Sequence, residues 1–105
     1  MTQKEFLENI KKDHLQMFNI MVAKNADYSG SEAESNPFKN FEACEQIGVC
    51  SVEQGILVRM MDKMARITNL TKQEAQVKDE SITDTCLDLA NYALILKAYI
   101  ESRKA

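Results

Sequence analysis

Apolar side chains recur along this chain at three- and four-residue steps and never alternate with polar ones over the length of a strand, so the helical period is the one that fits. In the first segment, about Thr2 to Lys24, Phe6, Ile10, Met17 and Met21 repeat in this way with Leu7, Phe18 and Val22 beside them, and Thr2 with Glu5 reads as a capping box. Asn25 to Asn36 is almost devoid of apolar residues, which predicts a solvated, mobile loop. Asn36 followed by Pro37 restarts a short helix carrying Phe38, Phe41 and Ile47, and Gly48 stops it. Ser51 and Gln54 form a second capping box, opening a helix to about Leu70 with the stripe Leu57, Met60, Met64 and Ile67.

After a polar linker, Thr71 to Lys78, the last helix spans about Glu80 to Ser102. Acidic Asp79, Glu80 and Asp84 stand at its start and Arg103 and Lys104 at its end, as the helix dipole favours. Ile82, Cys86, Leu89, Ala93, Leu96 and Ile100 share one side, which Leu87, Ala90 and Leu94 widen, so this helix is expected to be central. The pattern predicts an all-α fold: one domain, residues 1–105, a small helical bundle of three long helices and one short one. So broad an apolar helix in a chain of 105 residues also predicts burial against another copy, a homo-oligomer with its ligand site at a subunit junction.

Charge and cysteine usage narrow the function. Thirteen Lys and Arg against 16 Asp and Glu give a net charge of −3, which excludes general nucleic-acid binding driven by overall positive charge and leaves only a local phosphate site. Cys44, Cys50 and Cys86 are odd in number and lack CxxC spacing, which argues against a disulfide framework or zinc ribbon and for a reducing cytoplasm. Lys4, Glu5 and Glu8 interrupt the start of the chain where a signal peptide would be apolar, and Leu89 to Leu96 is too short to cross a bilayer; no membrane partner is expected.

On the last helix Glu80, Asp84, Asp88 and Asn91 stand four, four and three apart on one face. Asp88 and Asn91 interrupt an apolar run, so each must find a cation, a metal or a donor. Carboxylates at this spacing suit Mg²⁺, and pairing with basic side chains of the neighbouring helix suits them equally. That neighbour aligns Gly55, Arg59, Asp62, Arg66 and Asn69, with Lys63 to one side. These cations read either as a surface ion-pair ladder or as guanidinium forks for phosphate, in which case Arg66→Ala weakens binding. Lys24, Asp27, Tyr28, Asn36, Phe38, Asn40 and Phe41 add amides and aromatics able to read a base, although Phe38 and Phe41 fit core anchors better. His14 has no second ligand at metal spacing, the methionines and Cys86 read as core, and no triad, P-loop or dinucleotide fingerprint is present.

The strings Lys24-Asn-Ala-Asp-Tyr28, Asn36-Pro-Phe-Lys-Asn-Phe41, Arg59-Met-Met-Asp-Lys-Met-Ala-Arg66 and Asp79-Glu-Ser-Ile-Thr-Asp-Thr-Cys-Leu-Asp-Leu-Ala-Asn-Tyr92 resemble the nucleotide modification associated domain, type 1, of bacteriophages and prophages. That resemblance implies an all-helical, phage-encoded protein that handles nucleotides in the host cytoplasm. A more distant similarity is to MazG-like and dimeric-dUTPase-like all-α pyrophosphohydrolases, whose Glu-x-x-Glu and Glu-x-x-Asp pairs hold Mg²⁺ over phosphates. Asp88 stands at the second aspartate, but its preceding acid lies four residues away rather than three, and Arg59, Asp62, Lys63 and Arg66 occupy the place of the first pair. Cations there neutralise phosphate without activating water.

The leading expectation is capture of a phosphorylated nucleotide in a cleft between helices by Lys24, Asp27, Tyr28, Asn36, Phe38, Arg59, Lys63 and Arg66, with sequestration of a nucleotide immune signal as one use. The alternatives are a Mg²⁺-dependent nucleotide pyrophosphohydrolase built on Asp84, Asp88 and Glu80, and a helical assembly protein without a ligand.

Overall fold

A computed structural model describes residues 1–104, and within them the chain is all α-helix: α1 (Gln3–Ser29), α2 (Lys39–Gln46), α3 (Val52–Leu70) and α4 (Ile82–Lys104). Three long helices and one short one form the expected small bundle. None of the described helices is long and apolar enough to cross a membrane.

The largest departure from the sequence pattern lies at residues 25–36. α1 does not stop at Lys24 but continues to Ser29, where Gly30 at φ 103° closes it with its N–H on the Ala26 carbonyl. The polar residues of that last stretch hold neighbours rather than water. Asn25 Nδ2 donates to the Pro37 carbonyl at 2.8 Å, and buried Ser29 exchanges hydrogen bonds with Asn40, donating to its Oδ1 and accepting from its backbone N–H. Only from Gly30 does a loop begin. It ends in an Asx turn, Asn36 Oδ1 accepting from the Phe38 N–H, so that α2 starts at Lys39 rather than at Pro37.

The caps of α3 and α4 follow the sequence closely. Ser51 Oγ accepts from the Gln54 N–H while Gln54 Oε1 accepts from the Ser51 N–H, a reciprocal capping box. Ser51→Ala removes its side-chain half and is expected to cost about 1 kcal/mol, read as a lowered urea midpoint. Ser81 and Asp84 make the same pair at the head of α4.

The core is small. Phe41, Val52 and Ile56 are buried, with Met60, Tyr92, Ile95, Leu96 and Tyr99 packed on them. α3 and α4 run antiparallel, since Glu53 near the start of α3 pairs with Arg103 near the end of α4 and Arg66 meets Glu80 at the other end. α4 also packs on α1, α2 packs on both α1 and α3, and α1 does not meet α3, so the four helices form a ring in which the last is no more central than the others, contrary to the sequence pattern. The stripe facing inward on α3 is not the expected one: Val52, Ile56 and Met60 turn to α4 and α2, whereas Leu57 and Met64 are exposed. On α4, Thr85 and Asn91 are buried while Cys86 and Ala93 are exposed.

Candidate functional site

α4 presents Asp88, Asn91 and Tyr92 on the side shared with α1 and the edge of α3. Asp88 is a bridge: its Oδ1 lies 3.0 Å from Lys24 Nζ on α1 and its Oδ2 3.2 Å from Lys63 Nζ on α3. One carboxylate thereby ties three helices, and the cation that a half-buried acid requires is supplied twice. All three groups remain partly open to water, so each pair is worth only a few tenths to about 1 kcal/mol.

Around this bridge a cleft opens, lined by Lys24, Tyr28, Asn40, Phe41, Arg59, Asp88, Asn91 and Tyr92. The depression with its mouth measures about 480 Å³. Arg59 forms the wall on the α3 side, its guanidinium 4.9 Å from the centre of the Phe41 ring. Among the described residues it makes no ion pair within 4 Å. Phe41 in turn meets Tyr92 edge to face at 6.5 Å, so aromatic packing fixes the ring beneath the cation. A shallow extension, lined by Arg59, Asp62, Lys63, Arg66 and Tyr92, carries the positive rim along α3. On the opposite side an apolar groove, lined by Met21, Val22, Pro37, Phe38, Leu94 and Ile95 among others, shares Met21, Asn25 and Ile95 with the cleft.

Asn91 carries an unfilled acceptor. Its Nδ2 donates to the Met17 carbonyl at 3.1 Å, but Oδ1 is buried and has no hydrogen-bond partner, in a residue only 6% exposed. A buried acceptor without a donor costs about 1–3 kcal/mol.

The structure gathers Lys24, Tyr28, Arg59 and Asp88 at one cleft, with Lys63 on Asp88 and Arg66 on the extension. Arg66 has a structural task as well, because its Nε donates to Thr85 Oγ1 at 3.2 Å and its Nη2 donates to the Glu80 carbonyl, pinning the segment that leads into α4. Asp27 is exposed on α1 and lines neither the cleft nor its extension. Asn36 serves the turn before α2 and donates to Glu42, and Phe38 packs edge-on against Tyr99 at 5.2 Å in the apolar groove. Asn40, Phe41, Asn91 and Tyr92 complete the cleft. Tyr92 follows Asp88 by one helical turn and Asn40 precedes Phe41, spacings that mark them as neighbours once Asp88 and Phe41 are placed.

The three carboxylates considered for Mg²⁺ do not converge. Glu80 reaches Arg66 at 3.8 Å, Asp84 accepts from the Ser81 N–H at the head of α4, and Asp88 lies between two lysines. Among the described residues no three His, Cys, Asp or Glu side chains gather at one point. Among the thiols, Cys50 is pushed above its ordinary value of 9.0 by the hydrogen bond with Cys44, then by burial and nearby negative charge.

A model of one protein family, nucleotide modification associated domain 1, matches residues 24–100, a span that contains every charged residue of the cleft. No curated protein and no solved structure matches the chain.

Proposed function

The chain belongs to the nucleotide modification associated domain 1 family, and from that premise we propose that its cleft captures a phosphorylated nucleotide without cleaving it. The observation that carries this reading is Arg59, a guanidinium fork held over the Phe41 ring at the cleft wall with no carboxylate of its own. With Lys24 and Lys63 it sets three positive charges against the single charge of Asp88, a local excess in a chain whose net charge is −3.

The cleft, about 480 Å³ with its mouth, has room for a phosphate against Arg59. The phosphate sits at Arg59, a ligand N–H or O–H meets Asn91 Oδ1, and the base lies along the adjoining apolar groove beside Phe38. Capture without turnover suits removal of a nucleotide signal from solution. Supporting binding over hydrolysis is the state of the acids: Glu80 is met by Arg66, Asp84 by the Ser81 cap, and Asp88, which lines the cleft, is already paired with two lysines.

Calorimetry with nucleoside mono-, di- and triphosphates and cyclic nucleotides tests the proposal. One of them is expected to saturate at one ligand per chain and to be recovered unchanged; no heat and no bound species across the set defeats it, and recovery of a cleaved product replaces capture by catalysis. Asp88→Asn separates the two chemistries. As a counterion that competes with phosphate for Lys24 and Lys63, Asp88 opposes the ligand, so its neutralisation is expected to tighten binding by about threefold to tenfold, the effect of roughly 1 kcal/mol at contact distance in a wet site. Loss of binding in that variant would mark Asp88 as a ligand group or a metal holder instead.

A further inference from the structure

Of the two apolar stripes that dominate the sequence, Leu57, Met60, Met64 and Ile67 on α3 and Ile82, Cys86, Leu89, Ala93, Leu96 and Ile100 on α4, this single chain packs Met60 and Leu96 into its core and leaves much of the rest uncovered. On α3, Leu57, Met61 and Met64 are 46%, 67% and 57% exposed; on α4, Cys86, Ala93 and Ile100 are exposed and Ile82 and Leu89 half-buried.

These residues fall on one side of the molecule. At 100° per residue, α3 turns Val52, Ile56 and Lys63 toward α4, Arg59, Asp62 and Arg66 to one flank, and Leu57, Met61 and Met64 to the other. α4 turns Thr85, Leu96 and Tyr99 toward α3, Asp88, Asn91 and Ile95 to the flank occupied by α1, and Cys86, Leu89 and Ala93 to the opposite one. Because both helices are right-handed and antiparallel, the two apolar flanks lie side by side, and the two polar flanks lie together across the pair. The result is a two-helix apolar sheet facing away from the cleft.

The chain as a whole exposes more surface than a compact monomer of its mass. A compact chain of 11.9 kDa shows roughly 5,900 Å² to solvent, whereas this one shows 7,908 Å². Its radius of gyration is 15.6 Å, against roughly 13 Å for a compact chain of this length. This excess belongs to the whole chain, the exposed Phe6, Leu7, Leu15 and Phe18 of α1 sharing it with the α3–α4 face, and it exceeds the roughly 800 Å² that each partner removes in a standard interface.

We infer that the α3–α4 face is an isologous interface with a second copy of this chain, closing a four-helix bundle from two antiparallel pairs. A self-complementary patch on one rigid helix pair is what two-fold association uses, and a core of Leu, Met, Ile and Ala at helical spacing is what fills such a bundle. The cleft stays open on the far side of each copy.

Sedimentation equilibrium is expected to give twice the single-chain mass of 11.9 kDa for the wild type. The double variant Met61→Lys, Met64→Lys is expected to sediment as one chain and keep its helical circular dichroism, both side chains being exposed within one copy. Leu15→Lys with Phe18→Lys, on exposed positions of α1 across the molecule, leaves the dimer intact. A wild type that sediments as one chain throughout the micromolar range overturns the inference, and so does a dimer that survives the α3 changes and is lost with the α1 pair. Should the α3 variant fail to fold, Cys86 supplies a wild-type readout: maleimide attack, located by peptide mass, is expected to accelerate as the protein is diluted, and a rate independent of concentration overturns the interface. Since the cleft faces away, loss of the dimer with unchanged nucleotide affinity tells failure of this inference apart from failure of the proposed capture.

Discussion

Ile56→Ala is expected to lower the stability of the fold by about 2–5 kcal/mol, measured as a fall in the urea midpoint with the slope unchanged. Ile56 is fully buried, and only Phe41 and Val52 join it in the buried apolar cluster. Removing three carbons there forfeits their transfer energy and leaves a hole whose walls, the start of α3 and the rings of Phe41 and Tyr92, are held by their own packing and cannot close in. Against a total of about 5–15 kcal/mol for an ordinary domain, that loss takes a large share of the whole. Leu57→Ala, one residue along the same helix, is the control. Its side chain is exposed in a single chain, so in dilute solution it is expected to cost under about 1 kcal/mol, rising with protein concentration as the α3–α4 face becomes covered. Equal costs for the two variants in dilute solution would show that Ile56 is not where the core is.

The sequence pattern located the helices well where capping chemistry is local, and less well where a polar side chain has a distant partner. Ser51 with Gln54 is read within four residues and forms the full capping box, whereas at Thr2 only half of the expected box is made, its hydroxyl accepting from the Glu5 N–H. Asn25 and Ser29 look like loop residues because their partners, the Pro37 carbonyl and Asn40, lie more than ten residues away and become adjacent only when α2 folds back on α1. The core stripe of α3 was legible as apolar but not as to which neighbour it serves. Helical spacing identifies Leu57 and Met64 as residues for burial; whether the covering surface comes from the same chain is a tertiary fact. The site shows the same division. The equal spacing of Glu80, Asp84 and Asp88 suggests a shared ion, yet Arg66, the Ser81 cap and the lysines of α1 and α3 respectively reach these acids first. Lys24 is 64 residues from Asp88, a pairing that no local pattern contains.

Arg59→Ala is expected to weaken nucleotide binding by tenfold to a hundredfold, about 1.4–3 kcal/mol, the usual worth of a hydrogen bond to a charged group once its partner must stay desolvated. The fold should tolerate the change, because Arg59 gives up one contact with the Phe41 ring and leaves no buried carboxylate behind. Arg66→Ala should divide the other way. Its guanidinium donates to Thr85 and to the Glu80 carbonyl at the entrance to α4, so its removal is expected to lower stability by about 1–3 kcal/mol and to reach affinity only through the extension of the cleft. Arg59→Lys refines the comparison, since it restores the charge without the planar fork and should recover part of the lost affinity. Calorimetry and urea unfolding on the same three proteins therefore read two quantities that the two arginines affect in opposite proportion. Affinity that vanishes with Arg66 and survives without Arg59 would move the phosphate out of the aromatic-floored cleft and onto the outer edge of α3, where Asp62 rather than Phe41 is the neighbour that shapes binding.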